Sequence, residues 1–110
     1  MVKLKNTLQK STVRYLVYHD KTDKAWYAVG LEFNIVRAGD SALEALLDLF
    51  EAIEGYIESA REIKEENVLN QKPIEKYERM WDEFITKKTK ENIDRASEIY
   101  TRGELSLSHA

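Results

Sequence analysis

The chain has 110 residues, 43% of them hydrophobic and 34% charged, with a formal net charge of −3 and no cysteine. That is the length of one domain with one modest core. The missing cysteines exclude a disulfide scaffold and a thiolate zinc site, while the acidic balance argues against nucleic-acid binding as the main work and makes a basic protein the more natural partner.

Residues 1–12 are polar and lysine-containing, suited to an arm or a short strand. Val13-Arg14-Tyr15-Leu16-Val17-Tyr18-His19 is rich in β-branched and aromatic residues and predicts a strand. Residues 20–24 have turn composition. Residues 25–33 predict the returning strand, with Tyr27, Val29, Leu31 and Phe33 on the face under a helix and Trp26 on the other face. Asn34 suits a turn, and residues 35–38 a short third strand.

A helix then begins sharply. Ser41 with Glu44 three residues later fits a capping box, and Asp40 puts negative charge at the helix N-terminus, where the macrodipole favours it. Leu43, Leu46, Leu47, Phe50, Ile53, Ile57 and Ala60 fall at spacings of three and four and predict the buried stripe. Glu44, Asp48, Glu51, Glu54 and Glu58 lie off it as an acidic face, solvated or open to a cation-rich partner. The pattern breaks at residues 65–72, and Pro73 suits the first position of a second helix with an apolar stripe of Tyr77, Met80, Trp81, Phe84 and Ile85. The basic run Lys87-Lys88-Thr89-Lys90 predicts the start of a last helix, with Ile93, Ala96, Ile99 and Tyr100 as a thin apolar face. Gly103 would be its stop and residues 105–110 a frayed end.

Reaction chemistry is sparse. His19 and His109 are the only histidines and neither has a carboxylate at a suggestive spacing. Gly30, Gly39, Gly55 and Gly103 are scattered, so no phosphate-cradling loop is legible. A metal nuclease needs converging carboxylates, one of them mid-strand. The first strand has none there, and Glu32 and Asp40 lack evident partners in the sequence. No cofactor or metal is expected, and the chain reads as a binding protein rather than an enzyme. Two alternatives are an oligomeric structural or interaction module, and a nucleic-acid contact through Lys87, Lys88, Lys90 and Arg95, although no helix-turn-helix follows them. No apolar run approaches the ~20 residues of a membrane span and no signal-peptide core follows Met1, so the expected location is cytoplasmic.

The order of elements over residues 13–60, with Gly39-Asp40-Ser41-Ala42-Leu43-Glu44-Ala45-Leu46 opening the helix and Ala52-Ile53-Glu54-Gly55-Tyr56-Ile57 continuing it, resembles the HicB-like antitoxin family. The opening strand Tyr15-Leu16-Val17-Tyr18 fits as well. The resemblance implies a truncated ribonuclease-H-like α+β unit without the nuclease site, a homo-oligomer, and neutralisation of a small basic mRNA-cleaving toxin. Gly30 to Val36 departs from the Pro-Asp-Leu-Pro-Gly-Cys-like turn of many members. The segment beyond Gln71 matches neither usual DNA-binding appendage, which makes direct DNA contact doubtful.

The expected fold is therefore α+β: a three-stranded antiparallel sheet packed by one long helix over residues 1–66, with a helical extension over 67–110, either part of the same domain or an oligomerisation element. A narrow sheet leaves edges that invite pairing with another chain, so a dimer or higher homo-oligomer is expected. Tyr18, Trp26, Tyr77 and Trp81 are the candidate partner-binding anchors, since aromatic clusters dominate contact energetics.

Overall fold

The computed structural model describes residues 5–86 and 97–108. Four strands form one antiparallel sheet: β1 (Lys10–Asp20), β2 (Ala25–Gly30), β3 (Ile35–Gly39) and β4 (Ser97–Ser108), in the order β3-β2-β1-β4. Helix α1 (Ala42–Ile63) follows β3, and helix α2 (Glu75–Thr86) follows a short 3-10 turn at Asn67–Leu69. The architecture is α+β with one long helix, as expected. The sheet has four strands rather than three, and the helices lie on opposite faces of it.

The fourth strand corrects the reading of the C-terminal segment. Ser97–Ser108 is neither a helix ending at Gly103 nor a frayed tail but a twelve-residue strand laddered to β1 from Lys10↔Ser108 to Asp20↔Ser97. The physical reason is the length of β1. Its eleven residues carry backbone donors and acceptors on both sides, and β2 satisfies only one side. Thr101, Leu105 and Leu107 on alternate positions are the period-two signal that the helical reading passed over. Tyr100 falls between the pairs Val17↔Thr101 and Tyr18↔Ile99, so β4 carries a bulge there.

Side chains alternate across β1 and β2. Val13, Tyr15, Val17, Trp26 and Ala28 join Ala45, Leu49, Ile53, Ile57 and Ala60 of α1 in one core. Leu16, Tyr18, Tyr27 and Val29 face the other way, toward Tyr77, Met80 and Trp81 of α2. The alternation predicted for β2 is therefore present with its faces exchanged, and Trp26, not Tyr27, lies under the long helix. The 3-10 turn Leu31–Phe33 ends the strand and breaks the alternation there. Phe33 enters the α1 core while Leu31 stays in the α2 core. Asn34, at φ 54°, completes that turn in the left-handed region.

The buried stripe of α1 also differs from the expected one. Ser41 Oγ accepts from the Glu44 amide at 3.1 Å, so the cap stands where the sequence puts it. Ala45 and Leu49 are buried, whereas Leu43 and Leu47 are 64% and 57% exposed. The helix is rotated because its first turn sits directly on the end of β3. A Cβ on Gly39 would lie 2.8 Å from the Ala45 amide nitrogen. That approach leaves no room for a side chain at position 39, and with Ala45 turned onto the sheet Leu43 and Leu47 fall on the helix flank. The C-terminus closes with Lys64 at φ 55° and the Glu65 amide donating to the Ala60 carbonyl at 3.1 Å.

Candidate partner-binding surfaces

Two surfaces bear on function. The first is the seam where α2 lies on the sheet. Arg14, in the middle of β1, donates from Nε to Glu32 at 2.6 Å and from Nη1 and Nη2 to Glu78 of α2 at 2.5 and 3.0 Å. Glu32 also accepts from the Arg14 backbone amide at 2.7 Å. The guanidinium carbon lies 5.4 Å from the Trp81 ring centre, and that of Arg102 on β4 lies 4.0 Å from it. Burial opposes the Arg14 charge, but the hydrogen bonds to Glu78 and Glu32 outweigh it and raise its pKa. The seam thus joins β1, β4, the 3-10 turn and α2 through charge-assisted bonds and cation–π contacts.

Of the four candidate anchors, Tyr18, Tyr77 and Trp81 meet in this seam. Tyr18 is only 3% exposed, stacked on Tyr27 at 5.3 Å and tilted against Tyr77 at 6.3 Å. Burial, then the Tyr77 hydroxyl, pushes the Tyr18 phenol far above its ordinary range. Tyr27 is raised as well, first by its hydrogen bond to Asp23 at 2.6 Å. Trp26 sits on the opposite face, partly buried in the α1 core and 4.8 Å from the His19 ring. These aromatics are engaged in packing the two helices to the sheet. Of the carboxylates weighed for metal chemistry, Glu32 serves Arg14 and Asp40 is exposed at the start of α1. Among the described residues no cluster of three His, Cys, Asp or Glu could hold a metal ion. Lys87, Lys88, Lys90, Arg95 and His109 lie outside the described residues, as do Ile93 and Ala96 of the expected last helix.

The second surface is the outer strip of α1. Leu43, Leu47, Glu51, Glu54, Glu58 and Glu62 follow one another at spacings of three and four, and all six are exposed. Arg61 is the one basic residue of the helix. Asp48, on the β3 side, approaches Arg37 at 3.7 Å and stands apart from the strip. The sequence places Glu51, Glu54 and Glu58 on the acidic face but neither Glu62 nor their continuity with two exposed leucines, because its spacing assigns those leucines to the core. The signal that separates them is the Ala45–Leu49–Ile53–Ile57 series, which repeats at four and carries the helix onto the sheet.

Comparison with protein-family models, curated proteins and solved structures found no match. Among the described residues no helix is long and apolar enough to cross a membrane.

Proposed function

We propose that this chain is an antitoxin-type binding protein of the HicB-like kind, non-enzymatic and homo-oligomeric, that neutralises a small basic mRNA-cleaving toxin in the cytoplasm. The observation that carries the reading is the outer strip of α1, in which four glutamates continue directly from two exposed leucines. A row of like charges steers a basic partner and fixes its orientation, and an apolar spot at one end supplies contact area that water leaves on binding. The helix is a suitable platform because its other side is locked to the sheet by five buried residues, so docking costs little rearrangement.

The test is co-expression with the neighbouring open reading frame, read by pull-down and by rescue of growth. A triple variant, Glu51→Lys/Glu54→Lys/Glu58→Lys, should keep the wild-type melting temperature, because all three positions are exposed. It should lose at least tenfold in affinity for the toxin and fail to rescue. A neighbouring product without toxicity, or a triple variant that rescues as well as wild type, would overturn the reading.

A further inference from the structure

We infer that β4 is a homodimer edge. Two copies pair antiparallel through it about a two-fold axis at Gly103, which joins their sheets into one of eight strands. The inference rests on the homo-oligomeric part of the proposed function and names its surface.

Strand β4 ends the sheet, and among the described residues nothing pairs with its outer side. Twelve residues give an edge about 40 Å long at the usual rise per residue. Natural edges are blunted by charged side chains, lysine above all, by prolines, by bulges and by short length. The β4 sequence Ser-Glu-Ile-Tyr-Thr-Arg-Gly-Glu-Leu-Ser-Leu-Ser has no lysine and no proline. Its one interruption is the bulge at Tyr100, which leaves residues 101–108 in regular register with β1.

Charge then selects the pairing. In a symmetric antiparallel ladder centred on Gly103, Arg102 of each copy stands opposite Glu104 of the other, and the pair occurs twice. Shifting the centre by one residue sets Glu104 against its own copy, or Arg102 against its own copy. Opposite charges across strands stabilise a ladder and like charges destabilise it. Gly103 at the axis brings no side chain of its own. The Tyr15 ring already covers it, with the hydroxyl 2.6 Å from where a Cβ would stand. The matched stretch, 101–105 on each copy, stops short of the bulge. Leu105, half-buried on the α1 side, stands opposite Thr101 of the second copy and diagonal to its bare Gly103.

The other edge does not offer this. Strand β3 has five residues, and a two-fold at its centre opposes Arg37 to itself. Arg37 is moreover drawn toward Asp48 of α1.

The test uses the full chain and sedimentation equilibrium. Wild type should dimerise reversibly. Arg102→Glu and Glu104→Arg, each alone, should weaken self-association at least tenfold, because each opposes like charges. Mixed one to one they should form a heterodimer of near wild-type strength, since every pair is then arginine against glutamate. Arg102 contacts Trp81, so its replacement could unsettle the fold. Isotope-filtered nuclear Overhauser spectra on a mixture of labelled and unlabelled wild type therefore supply a readout without substitution, and contacts between Arg102 and Glu104 of different molecules are expected. A wild-type dimer that lacks those contacts, or two folded variants that do not associate on mixing, overturns the β4 edge and leaves the oligomer standing. A monomer at 100 μM, by contrast, overturns both.

Discussion

Gly103→Ala should destabilise the wild-type protein yet stabilise a Tyr15→Ala background. The added Cβ would stand 2.6 Å from the Tyr15 hydroxyl, 2.8 Å from Cζ and 3.1 Å from a ring carbon. Ordinary contact begins near 3.4 Å, so the ring has to move by about 1 Å. It is not at liberty to do so cheaply, because it meets Phe50 edge-on at 5.2 Å and packs against the α1 core. Losing such an aromatic pair costs about 0.5–1.5 kcal/mol, and overpacking costs about 1–3 kcal/mol. Against this, alanine is better than glycine inside a strand by about 0.5–1 kcal/mol. The net expectation in wild type is a loss of about 1–2 kcal/mol, taken from these ranges together. In Tyr15→Ala the ring is gone and only the alanine preference remains, so the same substitution should gain about 0.5 kcal/mol. The coupling between the two sites is then about 2 kcal/mol, within the range found for residues in contact. Urea unfolding of the four proteins, followed by circular dichroism at submicromolar concentration to suppress association, measures it. A Gly103→Ala effect of the same sign and size in both backgrounds would refute the placement of Tyr15 over β4.

Three further outcomes are expected. Asn6 is buried and bonds the Leu69 carbonyl, the Thr12 amide and, through its backbone, the Asn70 side chain. Asn6→Ala should therefore cost about 2–3 kcal/mol in urea unfolding, since it strands buried polar partners. Tyr18 is a phenol whose pKa is raised by folding, so the fold prefers its protonated form. Stability from this source is complete below the unfolded value near 10 and falls above it by up to about 1.4 kcal/mol per pH unit. Tyr18→Phe should lessen that alkaline slope, as read from melts between pH 9 and 11.5, and an unchanged slope would contradict the assignment. Finally, Lys64 holds a left-handed conformation at the end of α1. Lys64→Gly should raise stability by about 0.5–1 kcal/mol, measured by the urea midpoint.

Where structure depends on neighbours a few residues apart, the sequence alone determined it. The strand pair, the Ser41 cap and the span of α1 follow from period-two alternation, cap chemistry and helical spacing, all of which are local, although the alternation carries the returning strand to residue 33, three residues past its end at Gly30. The class of fold followed from them. What needed the tertiary structure was every choice between faces and partners. Whether Trp26 or Tyr27 lies under α1 depends on which face of the sheet each helix meets. The exposure of Leu43 and Leu47 depends on the close seat of Ala45 over Gly39. Ser97–Ser108 is a strand because β1, some ninety residues earlier, has an unpaired side to fill. The contact of Asn6 with Asn70 likewise spans 64 residues, and no periodicity reports such a pair. Burial is a property of surfaces meeting, and a pattern along the chain fixes which residues share a face without fixing what that face will meet.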